Sequence, residues 1–89
     1  MPEQSFNKIQ NGSLAVGRIV HFYTGDRSKW SNSVDKGPYP AIVTQVGPAG
    51  TNPNLKILPP FRTPYDEGSV PEYDPVQAIE RYWQWPPRL

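Results

Sequence analysis

The chain has no cysteine and a single histidine, His21, among its 89 residues. The first absence excludes disulfide staples, thiolate metal sites and cysteine nucleophiles, and the second leaves no histidine-based metal cage to take their place. An excess of charge of either sign is missing too. Nine Lys and Arg stand against eight Asp and Glu, a formal net charge of +1, far from the basic balance of a protein that coats nucleic acid, so general nucleic-acid binding is disfavoured. No apolar run approaches the length of a membrane span, and no charged N-terminal segment leads into the apolar stretch of a signal peptide. The expected location is the cytoplasm, with no membrane partner. At this length the chain is one domain whose core is small, and association with further copies is a common way for such a domain to gain buried area.

Proline is what the chain has in quantity, 12 residues with 7 glycines beside them. Much of the length is therefore turns and extended connections, whose ordering costs less because proline already restricts the unfolded chain. Residues 1–13 are polar, contain the turn dipeptide Asn11-Gly12, and read as a flexible N-terminal arm. The domain proper is expected over 14–89. From Leu14 to Tyr23 β-branched and aromatic residues dominate up to the turn Thr24-Gly25-Asp26, which predicts a first strand with Val16, Arg18, Val20 and Phe22 on one face. Gly25 to Pro40 has almost no apolar periodicity and reads as a long loop carrying Trp30 between Lys29 and a serine-rich run. Ala41–Val46 and Asn54–Leu58 are the second and third strands, joined as a hairpin.

Residues 59–75 hold Pro59, Pro60, Pro64, Pro71 and Pro75, a density that excludes a regular central strand. The recurrence of Phe61, Tyr65, Val70 and Tyr73 predicts an extended connection with its rings tucked inward. Asp74-Pro75 matches a helix start, Asp as the cap and Pro at the first helical position, giving one or two turns over Pro75–Glu80. Tyr82-Trp83-Gln84-Trp85 alternates as a terminal strand does, and Pro86 and Pro87 stop it. The fold class is mainly β: a small SH3-like barrel, with an open OB-like barrel as the alternative, long proline-rich loops and at most one short helix. Strand alternation accounts for Trp83 and Trp85 as core. Trp30 has no strand in which to hide.

Val16-Gly17-Arg18-Ile19-Val20-His21-Phe22-Tyr23, Ala41-Ile42-Val43-Thr44, Asn54-Leu55-Lys56-Ile57 and Trp83-Gln84-Trp85-Pro86 together resemble the pattern of small uncharacterised bacteriophage and prophage proteins. Those chains show a V-G-R-x-V-H-Y opening, an A-I-V-T strand and a W-x-W-P ending in that order. The resemblance spans roughly residues 14 to 87 and is distinctive as a set, weak motif by motif. It implies a viral origin, hence a host-cytoplasmic location, and a compact β-rich fold. It brings no activity and no catalytic residues. This chain departs from the pattern in its longer proline-rich segment before the C-terminal aromatics.

Catalytic chemistry is thinly supplied. His21 could serve as a base with Ser28, Ser31 or Ser33, yet no motif surrounds it, and a strand histidine paired with a neighbour is the simpler reading. Asp66-Glu67 and Glu72/Asp74 lie in proline-rich loops and read as solvated charges rather than an acid–base pair. No phosphate-binding glycine loop occurs, and no cofactor is implied. The suggestive constellation is aromatic rings interleaved with cations: Arg18, Arg27, Lys29 and Trp30 early, Arg62 and Tyr65 in the middle, Arg81, Tyr82 and Arg88 late. Rings stack on bases while arginine forks grip phosphate, which suits a nucleotide-like anion. Arg18 either pairs with a carboxylate or points into a cleft. The reading is a non-enzymatic, homo-oligomeric phage binding protein that sequesters a small anionic nucleotide-like signal of host defence. The alternatives are a phage structural or assembly component and a protein-binding inhibitor of a host enzyme.

Overall fold

The computed structural model describes residues 14–31, 35–48, 52–77 and 79–87. The N-terminal arm expected over 1–13 lies outside them. Five strands, β1 (Ile19–Thr24), β2 (Tyr39–Gln45), β3 (Asn54–Ile57), β4 (Tyr65–Glu67) and β5 (Arg81–Gln84), form one antiparallel sheet in the order β4-β3-β2-β1-β5. Four strands thus follow each other as a meander, and the last returns to the free side of the first. The protein is mainly β.

Alternation builds the core. Val20, Phe22, Tyr39, Ala41, Val43, Leu55, Ile57, Val70 and Trp83 are buried together, whereas Ile19, His21 and Tyr23 point to the other face of β1. The alternation fails upstream of Ile19. Gly17 has φ 94°, a conformation that side chains avoid, and the Arg18 N–H donates to the Ala15 carbonyl at 3.1 Å. A turn therefore replaces the first five residues of the expected strand, and Val16, expected on one face with Val20 and Phe22, is 68% exposed. β2 begins earlier than expected. Gly37 lets the chain pass so close to the Phe22 carbonyl that a Cβ there would sit 2.7 Å from it, which delivers Tyr39 into the core opposite Phe22. Pro40 lacks a donor, but its carbonyl still accepts the Leu58 N–H at 2.9 Å.

The sheet is not closed into the expected barrel: β4 and β5 are its two edges. Chain from the proline-rich segment crosses the open side instead. The Val70 N–H reaches the Pro53 carbonyl, and Pro71 and Tyr73 bond the backbone of Trp83 on both sides, each at 2.9 Å, so the outer edge of β5 is paired without a sixth strand. Val70 is buried as expected and Tyr65 packs against the core. Phe61 and Tyr73 are not tucked inward; they are 89% and 44% exposed. The helix expected from Pro75 is also corrected. Asp74 does cap the segment, accepting from the Val76 N–H at 2.9 Å, and the Gln77 N–H closes on the Asp74 carbonyl, but residues 75–77 form a turn. A helix nucleus gains little when the chain must be extended again by Arg81. A 3-10 turn, Arg27–Lys29, lies inside the long loop. No helix among the described residues is long and apolar enough to cross a membrane.

Candidate functional site

The 3-10 turn is locally encoded. Asp26 caps it, its carboxylate accepting from the Ser28 N–H at 3.0 Å and the Ser28 hydroxyl at 2.7 Å, and these bonds, the hydroxyl first, hold the Asp26 carboxyl below its ordinary value. The Thr24 hydroxyl in turn accepts the Asp26 N–H. This places Lys29 over the sheet, where its Nζ lies 2.6 Å from Glu67 Oε2 and 5.6 Å from the centre of the Tyr65 ring. Arg81 approaches the same carboxylate from β5, Nη1 to Oε1 3.5 Å, and its Nη2 donates to the Gly68 carbonyl at 2.9 Å. Glu67 therefore joins the long loop and both edges of the sheet at one point.

A second layer locks the loops together. The Arg62 guanidinium donates to the Ser28 and Trp30 carbonyls at 3.0 and 2.7 Å. The Ser31 hydroxyl donates to the Pro60 carbonyl; the Ser31 N–H donates to the Tyr39 hydroxyl at 2.8 Å, and that hydroxyl donates to the Asp35 carbonyl. Trp30 is pinned as well: its indole N–H bonds the Thr24 carbonyl at 2.8 Å, and Arg27 lies 5.4 Å from the centre of its ring.

Six of the residues singled out from the sequence, Arg27, Lys29, Trp30, Arg62, Tyr65 and Arg81, thus converge at one end of the sheet. Arg18 does not join them. It sits at the far end of β1, 4.9 Å from the centre of the Trp85 ring, which itself meets Trp83 edge to face. Tyr82 is apart too, on the outer face, stacked on Tyr23 at 4.9 Å and leaning on Tyr73 at 5.0 Å; burial is the first cause that raises its hydroxyl pKa. Arg88 and Ser33 lie outside the described residues. His21 is on the outer face of β1, in register with Pro40 and Gln84. Two important residues escaped the sequence reading. Glu67, read there as a solvated loop charge, is 7% exposed, and Phe61 is a surface ring. The Tyr65-x-Glu67 alternation was the available signal for the first, because it puts both side chains on the inner face of a short strand while Asp66 points out to Lys56.

The cluster is cationic overall. Arg27, Lys29, Arg62 and Arg81 face Asp26 and Glu67, four charges against two. Among the described residues no group of His, Asp and Glu is placed to hold a metal ion. The chain matches no protein-family model, no curated protein and no solved structure.

Tyr65 gives the cluster a measurable signature. Burial, with the Glu67 charge second, pushes its hydroxyl up to about 12, and that hydroxyl is enclosed without a hydrogen-bond partner. The folded state therefore keeps this proton to a higher pH than the unfolded chain does. The associated stability is complete below the ordinary tyrosine value near 10 and is lost as pH rises toward about 12. Denaturant melts at pH 9 to 12 are expected to show the decline, reduced in Tyr65→Phe, which keeps the ring. An identical slope in that variant would assign the titration elsewhere.

Proposed function

We propose that this chain is a non-enzymatic binding protein of bacteriophage type, acting in the host cytoplasm as a homo-oligomer, that captures a small anionic nucleotide-like ligand at the Lys29–Arg62–Arg81 end of its sheet. One observation carries the reading: cations and rings from three segments distant in sequence meet there with positive charge in excess of their own carboxylates. Arg62 uses one guanidinium nitrogen for both of its carbonyl bonds, so the other side of its fork is available to a phosphate. Phe61 and Trp30 supply ring surface next to it for a base. Sequestration needs tight binding without turnover, which agrees with a Ser31 hydroxyl engaged by the Pro60 carbonyl. The SH3-like reading belongs with this proposal, supported by a strand order in which the fifth strand returns beside the first.

Isothermal titration of the folded protein with cyclic and linear nucleotides tests it. Saturable heat with at least one of them is expected, weakened about tenfold or more in Arg62→Ala and by added salt. No heat with any nucleotide would remove the proposal. A second reading, docking to protein as an assembly component, is favoured by Phe61, whose ring projects into solvent at the rim of the same cluster.

A further inference from the structure

Phe61 combines two costly properties. It is 89% exposed, and its φ of 62° lies in the left-handed region, where a bulky side chain is a genuine outlier. Such strain persists when surrounding structure over-determines it, and it gathers at functional positions. Here the surroundings do so. Pro59, Pro60 and Pro64 restrict the loop, the Ser31 hydroxyl holds the Pro60 carbonyl, and Arg62 is tied to Ser28 and Trp30. Ser31 is itself 1% exposed. The ring is thus presented on a rigid knuckle next to Arg62, which is bonded to the turn that carries Arg27, so that little order remains to be gained on binding.

A complementary surface occurs on the same molecule. Tyr23, Tyr82 and Tyr73 stack on the outer face of β1 and β5, with Tyr73 44% and Val76 89% exposed. From Thr63 to Glu80 the chain contains Asp66, Glu67, Glu72, Asp74 and Glu80 and not one Lys or Arg. Asp66 pairs with Lys56, and Glu67 with Lys29 and Arg81; of the others, Glu72 and Asp74 flank Tyr73 in the chain and Glu80 stands two residues before Tyr82, with the Asp74 carboxylate also accepting the Val76 N–H. Phe61 and Val76 are both almost fully exposed, so the knuckle and the patch do not cover one another within one chain.

We propose that copies of this chain dock head to tail, the Phe61 knuckle and its arginines on one copy seated on the acidic tyrosine patch of the next. The second copy is the occupant that charge complementarity selects: a basic surface carrying an apolar anchor meets an acidic surface made of aromatic rings. Because the two surfaces differ, each added copy leaves one of each free, and the contact closes into a ring or continues as a filament. The interface is independent of the ligand reading, and its test uses no nucleotide, so either can fail alone.

Sedimentation velocity decides it. The wild-type chain is expected to associate at low salt and to disperse near about 0.5 M salt. Phe61→Asp, a residue that accepts positive φ, and separately Val76→Lys, which sets a cation against the arginines, should each weaken association about tenfold or more. The decisive measurement mixes the two variants. Phe61→Asp keeps its patch and Val76→Lys its knuckle, so an equimolar mixture forms one intact interface, giving dimers and nothing larger. Far-UV circular dichroism is the check that both remain folded; should Val76→Lys lose its structure, Tyr73→Ala replaces it. A wild-type chain that stays monomeric at low salt, a variant that assembles as the wild type does, or a mixture of folded variants that stays monomeric overturns the proposal.

Discussion

Trp83→Ala is expected to take away a large part of the domain's stability. The ring is 4% exposed in the core, and truncations of this kind cost about 3–5 kcal/mol. A chain of 89 residues has a total of roughly 4–13 kcal/mol at the usual stability per residue. The position magnifies the loss. Trp83 is where the proline-rich connection is joined to the sheet, its N–H donating to the Pro71 carbonyl and its carbonyl accepting the Tyr73 N–H, and a side chain that no longer fills the core beneath leaves those bonds to fray. The melting temperature should fall by about 12–40 °C. Trp85→Ala is the control: Trp85 is partly buried at the rim, against Trp83 and Arg18, and its loss should be clearly smaller. A Trp83→Ala chain that melts within a few degrees of the wild type would mean that β5 is not part of the cooperative unit.

What could be read in the residues alone was what depends on near neighbours. The Val20/Phe22 alternation, the β2–β3 hairpin and the terminal Trp83 strand each carry a period of two that survives folding. The start of β1 is hidden in the residues because Gly17 lies within a run rich in β-branched and aromatic residues, and only the backbone shows the positive φ that breaks it. Asp74-Pro75 was a correct cap signal attached to a turn; the local bond formed, and tertiary demand on Arg81 prevented the helix. At the site, residue types were legible and their arrangement was not. Lys29, Tyr65 and Arg81 meet because β4 and β5, the opposite edges of the sheet, approach across its open side, a contact with no trace in any short window. For Glu67 the alternation with Tyr65 signalled the inward side, but what buries it and pairs with it comes from far along the chain.

Glu67→Gln is expected to lower stability and to tighten anion binding together. The wild-type carboxylate holds Lys29 at 2.6 Å and Arg81 at 3.5 Å, and removing one member of a fully buried ion pair costs about 3–5 kcal/mol. Here the cations are 37% and 36% exposed and recover some hydration, so about 2 kcal/mol is the better figure, a fall in melting temperature of about 8–16 °C. The same substitution releases two positive charges. A phosphate no longer competes with Glu67 for them nor feels its repulsion, a term of about 2–3 kcal/mol for unit charges 6 Å apart at an effective dielectric near 20. Inorganic phosphate, and more so a nucleotide, should therefore raise the melting temperature of Glu67→Gln further than that of the wild type at matched ionic strength, because a ligand that binds only the folded state stabilises it by mass action. Equal phosphate shifts in the two proteins would show that Lys29 and Arg81 serve only to close the sheet, and would move any anion site toward Arg27 and Arg62.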